Sequence, residues 1–372
     1  MSRTGRAGVI ILCLAGLAVN AALIGPAWIY TATAQTDFMD LYAGGRLAFT
    51  HDLYVPAKVM EAELQAEGKY SPTRLFMRLP CFSLFYWPLA QLPYQAASRV
   101  WEALCGLSVA AFAMLWPARR RWHTAVACSW CLPLMMTVAE GQDIGFVLLA
   151  MAGSAMLLLR RRAGLAGAVA SLCLAKFHLF LLVPVWICAR KQWRFARGLA
   201  AGCAGLGALC FVAGGMDWPL RYYALIREPG NNPYSEIMPN LHSLFSGLPH
   251  GGWMEVAGAA VVALAVWTVS RRQSAECGLA AALAGGILVA PHAYMADCAM
   301  AVPAVLLLMR RRGSFLPMQV LFAVLLAPVP WVLLMMGMGT PARLAIGAMV
   351  FGLPFYGRMR RGPEARGVLQ PA

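Results

Sequence analysis

The sequence has few charged residues, and acidic residues are the scarcer kind. Charged residues make up 13% of the 372 positions, whereas hydrophobic residues make up 60% and the mean hydropathy is +0.63. Such a chain is too apolar for a water-soluble globule, because the surface of a soluble protein must be largely polar. The shortage of charge therefore indicates a polytopic membrane protein.

The sequence also has little that indicates nucleic-acid or metal binding. The 16 acidic and 31 basic residues give a formal charge of +15, but the arginines fall in short clusters between apolar runs. Cys128 and Cys131 form a CxxC motif that has no Cys or His partner at zinc-site spacing. Most other cysteines lie in apolar segments, where a thiol behaves as a small hydrophobe. Tandem repeats and low-complexity linkers are absent too, so we predict a single domain over residues 1–372.

The basic clusters define a topology. Basic residues concentrate on the cytoplasmic side of membrane proteins, so each cluster fixes the side of its loop. The clusters are Arg3 and Arg6, Arg119 to Arg121, Arg160 to Arg162, Arg190 to Arg197, Arg271 and Arg272, Arg310 to Arg312, and Arg358 to Arg361. All of them can lie inside at once. This places both termini in the cytoplasm, and we expect the membrane to be a bacterial plasma membrane.

With the clusters inside, the apolar runs predict an all-α bundle of roughly twelve transmembrane helices. The predicted spans are 8–30, 96–117, 124–138, 144–159, 164–176, 177–189, 198–215, 253–270, 277–291, 298–309, 315–336 and 342–357. The first resembles a signal sequence in its basic head and apolar centre, but its apolar stretch has the roughly 20 residues that cross a bilayer. We therefore expect an uncleaved helix.

The segment between Arg162 and Arg190 is too short for two full spans. Each leg has about 13 residues, which form ~20 Å of helix against a hydrocarbon core of ~30 Å. We therefore predict a broken, re-entrant hairpin whose turn carries Lys176 and His178. Irregular backbone at that depth persists only beside a cavity or when buried in protein.

Two long segments, roughly 31–95 and 216–252, then form an extracytoplasmic loop layer. The first has moderate helical patterning and ends in FYWPLAQLP, with Trp87 and two prolines. Aromatic and amphipathic stretches settle at the level of the lipid headgroups, so part of this segment is expected along the interface.

Polar residues that are unusual within or beside membrane spans fall into five groups. Such residues are costly unless they face a wet cavity or one another, so they are candidates for function. The groups are Asp37 with Asp40, Gln142 with Asp143, Lys176 with His178, Asn240 with His242, and His292 with Asp297. The arginine topology places all five on the extracytoplasmic side, which predicts one polar cavity there.

Each of these residues also has a purely structural interpretation. Asp37 can cap a helix that begins near Phe38, and Asp40 and Asp52 can be capping or solvated groups. His178 and His292 can be hydrogen-bonded interior histidines, and Gln142 and Asn240 can satisfy loop backbone. Lys176 can form a structural ion pair with Asp143 or Asp297.

Five motifs in this order resemble glycosyltransferase family 87, within the C-type superfamily of integral-membrane glycosyltransferases. The motifs are TDFMDLYAGGRLAFTHDLYVP, LPCFSLFYWPLAQLP followed by Trp101, the stretch from GQDIGF through LCLAKFHLFLL to ARKQWR, NLHSLFSGLP and PHAYMADC. They cover most of residues 30 to 310. The resemblance implies a C-type bundle that transfers a sugar, with inversion, from a polyprenyl monophosphate on the extracytoplasmic face.

The resemblance also implies residue roles. Asp37 matches the acid of the family's first loop, which implies the base that accepts the acceptor's proton. Lys176 matches the hairpin lysine and His292 the histidine of the late loop. The chain departs from the family pattern where Phe177 replaces a common proline, and where Ala296 precedes Asp297 in place of histidine. The resemblance favours mannose as the donor sugar, with another hexose or a pentose as alternatives.

The reaction gives these residue types a chemical reason. Inverting transfer needs a carboxylate within hydrogen-bond reach of the acceptor hydroxyl, and Asp37 can supply it. The departing phosphate needs cationic or N–H stabilisation in a dry site. Lys176 is the first candidate for that role, and His292 is a donor to phosphate or sugar. The reserve candidates for the same role, all in the external segments, are Arg74, Arg78, Arg221 and Arg227.

We expect no cofactor, because the lipid-linked sugar is itself a co-substrate. Asp37 and Asp40 form a DxxD spacing that could chelate a divalent ion, but nearby cations already supply countercharge. We predict that Gln142, Asp143, His178, Asn240, His242 and Asp297 line the donor site with Lys176 and His292. The expected partners are the polyprenyl-phosphate sugar, a cell-envelope glycan or glycolipid acceptor, and membrane lipid, without nucleic acid.

Two other functions remain open at this point. A transporter or flippase for a lipid-linked sugar would also place polar groups inside a helical bundle, but no internal repeat is apparent and the polar groups concentrate at one face. A membrane acyltransferase would need a catalytic histidine deep in a helix and an entrance for the acyl donor, and the sequence has no separate signal for it.

Overall fold

The computed structural model describes residues 3–25, 28–33, 36–68, 75–227, 234–310 and 316–356, and this part of the chain is helical without a β-strand. The helices are α1 Arg3–Leu23, α2 Trp28–Ala32, α3 Phe38–Arg46, α4 Pro56–Glu67, α5 Pro80–Tyr86, α6 Tyr94–Leu115, α7 Arg121–Trp130, α8 Leu132–Ala139, α9 Ile144–Leu159, α10 Ala163–Ala170, α11 Val183–Arg190, α12 Trp193–Gly214, α13 Trp218–Ile226, α14 Leu241–Phe245, α15 Gly251–Arg272, α16 Ala275–Val289, α17 Ala301–Met309, α18 Leu316–Leu326, α19 Val329–Met335 and α20 Thr340–Tyr356. Shorter 3₁₀ segments occupy Leu89–Gln91, Ser171–Phe180, Ser235–Ile237 and Ala296–Met300.

Five helical stretches in the described residues are long and apolar enough to cross a membrane. They are Gly5–Leu23, Tyr94–Leu115, Ala163–Phe180, Trp193–Gly214 and Gly251–Arg272. The pair α18 and α19, bent by 46°, makes a sixth if it is one span. Pro328 and Pro330 explain the bend, since proline lacks the N–H that would continue the helical ladder. The all-α membrane class is confirmed, and the count of twelve spans stays a prediction.

Several predicted spans are short or interrupted helices. The predicted span 124–138 is divided into α7 and α8, because Cys131 adopts an extended conformation and the next helix begins at Leu132 with Pro133 in its first turn. The helices Ile144–Leu159 and Ala275–Val289 are apolar but shorter than a full crossing. The predicted loop layer at 31–95 contains α3, α4 and α5, which fits the helical patterning of that segment.

The predicted break between Arg162 and Arg190 lies at Lys176. The chain forms α10, continues as the 3₁₀ segment Ser171–Phe180, and returns as α11; Lys176 has non-helical dihedrals, φ −130° and ψ 48°. We call Ala163–Arg190 the hairpin. The two legs are unequal. The first leg is helical almost throughout, whereas the α-helix of the second leg begins only at Val183.

Contacts at the two ends of the hairpin place Lys176 at its far tip. Gly167 packs directly against the Phe195 carbonyl near the start of α12. At the other end, Arg190 donates to the carbonyl oxygens of Ser270 and Gln273 at the end of α15. Both ends therefore lie level with the basic ends of their neighbouring helices, and the tip points away from them.

An aromatic cluster positions the first motif of the chain. Phe38 stacks on Trp101 with ring centroids 5.2 Å apart, and both side chains are fully buried. The Trp101 indole donates to the Gly141 carbonyl at 2.7 Å, and the Asp37 amide donates to the Glu140 carbonyl at 2.8 Å. These contacts fix the start of α3 against the turn between α8 and α9.

Candidate active site

Asp37 lies at the N-terminus of α3, but its side chain does not cap that helix. The structure gives no capping hydrogen bond from this carboxylate. Instead, Oδ2 of Asp37 accepts a short hydrogen bond from Nε2 of Gln142. Asp37 is half-buried, so its carboxylate combines a fixed orientation with access from outside the bundle.

Gln142 connects Asp37 to the tip of the hairpin. Its side-chain oxygen accepts a hydrogen bond from Nζ of Lys176 at 3.0 Å, while its side-chain nitrogen donates to Asp37. A longer contact of 3.5 Å joins the same oxygen to Arg78. Gln142 thus does more than satisfy loop backbone, because it links two of the residues predicted to carry the chemistry.

Lys176 is buried between two carboxylates. Its Nζ donates to Oδ1 of Asp297 at 3.0 Å and lies 4.0 Å from Oδ1 of Asp143. Only 4% of Lys176 is exposed, so the ammonium depends on these partners for its stability. Lys176 therefore forms the predicted ion pairs and also reaches Gln142 on the Asp37 side.

Arg78 completes the group, and the sequence indicated it only as an external reserve. Its guanidinium donates to both oxygens of Asp143, at 2.7 and 2.9 Å, and the Tyr86 hydroxyl donates to Oδ2 at 3.0 Å. Burial alone would raise the pKa of Asp143, but the charges of Arg78 and Lys176 hold it below its usual range. Asp143 is therefore ionised and fully engaged.

These contacts make one connected group, which we call the polar network. Its members are Asp37, Arg78, Gln142, Asp143, Lys176 and Asp297. They come from five separate parts of the chain: the start of α3, the stretch before α5, the turn before α9, the hairpin tip, and the segment before α17.

Two histidines lie beside the network. The rings of His178 and His292 are 6.0 Å apart in an edge arrangement, and His292 packs against Tyr294 at 4.7 Å. Burial lowers the pKa of His292 to about 4, against a smaller opposing effect from Asp297. His292 is therefore neutral near pH 7 and can donate one N–H. Within the described part of the chain, buried Nε2 of His178 has no hydrogen-bond partner.

Asn240 and His242 lie outside the polar network. Asn240 accepts from the Ser243 amide at 3.0 Å and so caps α14, and its Nδ2 donates to the Ala290 carbonyl at 2.9 Å. His242 pairs with Glu255 at 3.0 Å. Asn240 thus supports the backbone just before His292, and His242 is engaged with α15.

Of the other two acids, Asp40 lies near the polar network and Asp52 does not. Asp40 lies in the first turn of α3, close enough to Arg78 and Tyr86 to act on them electrostatically. Asp52 lies in the loop before α4, where its amide donates to the Thr50 hydroxyl.

The reserve cations other than Arg78 make surface contacts. Arg221 pairs with Asp217, and Arg227 lies over the Tyr223 ring at 4.5 Å. Arg74 falls outside the described residues.

An apolar cavity of about 310 Å³ lies along the hairpin below the network. The hairpin contributes Cys173, Leu174 and Phe177 to its lining, next to Lys176 in sequence, and Met151, Leu283 and Leu307 come from the facing helices. At its opposite end the cavity reaches Glu276 and Arg310. Charge at the tip and apolar volume beside it suit an amphipathic ligand.

The described residues contain no group of three or more His, Cys, Asp or Glu side chains that could hold a metal ion. The acidic residues of the polar network instead contact Arg78, Lys176 and Gln142. The expectation that the protein needs no cofactor stays a prediction.

Comparison with known proteins identifies the family. Residues 79–295, more than half of the chain, match the model of glycosyltransferase family 87. Neither a curated protein nor a solved structure matches the chain. The matched stretch includes Gln142, Asp143, Lys176 and His292, whereas Asp297 lies just beyond its end and Asp37 lies well before its start. The chain belongs to glycosyltransferase family 87.

Proposed function

We propose that this glycosyltransferase moves a sugar, with inversion, from a polyprenyl-phosphate donor to a cell-envelope glycan or glycolipid. Mannose is the favoured sugar, and another hexose or a pentose is the alternative. The reaction takes place on the extracytoplasmic face of a bacterial plasma membrane, with both termini in the cytoplasm. One observation carries the proposal: a single side chain, Gln142, joins the half-buried carboxylate of Asp37 to the buried ammonium of Lys176.

Asp37 is the proposed base. Deprotonating the acceptor hydroxyl requires a carboxylate within hydrogen-bond reach of that oxygen, positioned before the reaction. Gln142 fixes one oxygen of Asp37, and the Asp37 amide is held by the Glu140 carbonyl. The other carboxylates of the network, on Asp143 and Asp297, are buried against cations, so Asp37 is the member best placed to meet an incoming acceptor.

Lys176 is the proposed cation for the leaving phosphate. An ammonium has three donors, and in the described residues Nζ of Lys176 makes two hydrogen bonds, to Gln142 and Asp297. The third donor can bind a phosphate oxygen. In a site shielded from water, such a fixed donor stabilises developing negative charge far more than it would in bulk solvent.

The two histidines supply neutral donors for the same anion or for sugar hydroxyls. His292 is neutral near pH 7, so its ring offers one N–H and one acceptor nitrogen. His178 lies 6.0 Å from it, ring to ring, and its buried Nε2 has no hydrogen-bond partner among the residues that the structure describes. A bound donor that satisfies this nitrogen would remove the cost of leaving it unpaired.

The apolar cavity is the proposed site of the lipid part of the donor. A phosphate at Lys176 would leave the first isoprenoid units beside Leu174 and Phe177. Burial of apolar surface stabilises such a complex by roughly 25 cal/mol per Å². The cavity thus accounts for a lipid-borne substrate without a separate lipid-binding domain.

The test is a transfer assay with purified protein, a panel of polyprenyl-phosphate sugars and envelope extracts, followed by mass spectrometry. We expect sugar transfer from one donor, release of polyprenyl phosphate, and unchanged activity in excess EDTA, since no metal enters the proposed chemistry. Soluble nucleotide sugars serve as the control donors and should give no product. Transfer from a nucleotide sugar alone, or movement of a lipid-linked sugar across liposomes without transfer, would contradict the proposal, and the second result would favour a flippase.

A further inference from the structure

Cys81 and Cys210 lie side by side at the end of the molecule that carries the polar network. Cys81 is the second residue of α5, and Cys210 lies in the last turn and a half of α12. The Cys81 amide donates to Sγ of Cys210 at 3.4 Å, so the sulfur of Cys210 lies against the backbone of Cys81. Both side chains are buried, at 7% and 1% exposure.

The backbone around this pair is tightly packed. A Cβ on Gly214 would lie 2.8 Å from the ring of Pro80, the residue before Cys81. The Phe49 amide donates to the Ala213 carbonyl at 3.3 Å, which ties a third segment to the same corner. The thiols are therefore held together by the packing of α5 on α12.

The orientation of α12 decides the redox environment of the pair. The first turns of this helix contain Arg194 and Arg197, which the arginine topology places on the cytoplasmic side. Cys210 lies near the opposite end of the helix. Disulfides form and persist in oxidising compartments such as the bacterial periplasm. A cysteine pair at the extracytoplasmic end of a membrane helix is thus exposed to oxidation during folding.

We propose that Cys81 and Cys210 form a disulfide that fixes α5 to α12 and so holds Arg78 in the polar network. The proposal rests on the extracytoplasmic placement of this face, which is part of the proposed function. The bond would lie three residues from Arg78 and five from Tyr86, the two side chains that hold Asp143. It closes a loop of 129 residues in sequence separation, so it would restrict the unfolded chain strongly.

The oxidant is the disulfide of an extracytoplasmic thiol oxidoreductase. The thiolate of one cysteine attacks that disulfide and forms a mixed disulfide, and the second thiolate then displaces the oxidoreductase sulfur. The S–S bond between Cys81 and Cys210 forms, the two cysteines lose two electrons and two protons in total, and the oxidoreductase leaves as a dithiol. Because both sulfurs are buried in the folded protein, the exchange takes place before α5 packs on α12, and the finished bond is shielded from reductants.

The test maps the linkage in the wild-type membrane protein. Cells are quenched in acid, and the protein is denatured in the presence of N-ethylmaleimide, which alkylates free thiols. The protein is then digested without reductant for mass spectrometry. We expect a Cys81–Cys210 linked peptide, with the exposed Cys188 at the end of α11 alkylated as an internal control. Alkylation of both Cys81 and Cys210 as free thiols would overturn the proposal.

A Gln91→Cys variant tests the proposed orientation in the membrane separately from the proposed disulfide. Gln91 is exposed in the segment before α6, so Gln91→Cys should react with a membrane-impermeant maleimide in intact spheroplasts. Free Cys81 and Cys210 in a protein whose Gln91→Cys is labelled from outside would reject the disulfide and leave the orientation intact. If Cys81 and Cys210 are free thiols and Gln91→Cys does not react with the impermeant maleimide, both the disulfide and the orientation are overturned. Cys128→Ser, as a matched variant, should retain the linkage.

Discussion

At the scale of single residues, the polar network balances its buried charges. Arg78 and Lys176 carry two positive charges, and Asp143 and Asp297 carry two negative ones, all at 9% exposure or less. A buried pair costs desolvation but becomes strongly destabilising when one partner is removed, because the other charge is then left uncompensated. The half-buried Asp37 is attached to this balanced group through Gln142.

The first prediction concerns Arg78. Arg78→Met should lower the free energy of unfolding by about 3–5 kcal/mol, since Asp143 would lose the guanidinium that holds both of its oxygens. Thermal unfolding in detergent measures this. Adding Asp143→Asn removes the stranded charge, so the double variant should be more stable than Arg78→Met alone. A double variant less stable than the single one would contradict the role assigned to the pair.

The second prediction concerns His292 and pH. Its pKa in the folded protein is about 4, below the ordinary value, so the folded ring stays neutral while an unfolded ring protonates as the pH falls below about 6.5. Any stability linked to this group is therefore present at neutral pH and declines between about pH 6.5 and 4.

Activity follows from the same neutrality. His292→Gln keeps a neutral donor and should reduce the rate without changing the shape of the pH profile between about pH 5 and 8. Initial rates across that range are the measurement. An acidic limb near pH 6.5 that is present in the wild type and absent from the variant would show that His292 titrates during turnover.

At the scale of elements, the hairpin positions Lys176 by packing directly on a neighbouring helix. A Cβ on Gly286 in α16 would lie 2.0 Å from the Leu179 carbonyl, three residues from Lys176. Backbone contact this close needs glycine, because no side chain fits between the two elements. The non-helical conformation of Lys176 and the close approach of the hairpin to Gly286 together fix the position of the Lys176 ammonium in the polar network.

Gly286→Ala is therefore the third prediction. Overpacking of this kind costs about 1–3 kcal/mol, and it should move the hairpin tip and reduce transfer as well as stability. Gly347→Ala in α20 is the matched control, because its Cβ would meet no atom within 4 Å. Thermal unfolding and transfer rates of the two variants provide the comparison. Equal behaviour of both variants would contradict the proposed contact between α16 and the hairpin.

The same elements show what the sequence could predict. The spans at α6, α12 and α15 were located within a few residues, because each is a long apolar run without a break. The break at Lys176 followed from the short distance between two basic clusters. Hydropathy misses the division at Cys131, because one extended residue does not interrupt an apolar run; the signal available is Pro133, which favours the first turn of a new helix.

The site was predicted less completely than the fold. The five polar groups follow from the rarity of polar residues near membrane spans, but the sequence marks Arg78 only as one of four reserve cations for the phosphate. Its partner Asp143 lies 65 residues away, so only tertiary structure reveals the pair. The signal available is an arginine set among apolar residues in LFMRLPCF, next to the segment that matches the family motif. The prediction that Asn240 and His242 line the donor site rests on their residue type, and their contacts lie outside the polar network.

At the scale of the whole molecule, distant segments converge on one end of the bundle. The start of α3, the turn before α9, the hairpin tip and the segment before α17 meet in the polar network. The apolar cavity extends from the hairpin tip toward Glu276 and Arg310 at its far end. A polar site above an apolar cavity matches a substrate that has a charged phosphate sugar and a lipid tail, which supports the proposed function beside the link through Gln142.

The most direct measurement is the transfer rate of Asp37→Asn beside Asp52→Asn, in purified protein with the active polyprenyl-phosphate donor. Asparagine keeps the shape of Asp37 but removes its basicity, so transfer should fall by on the order of 10²–10⁴-fold while membrane insertion and thermal unfolding are unchanged. Asp52 lies outside the polar network, and its variant should retain the wild-type rate. Wild-type transfer by Asp37→Asn would contradict the account.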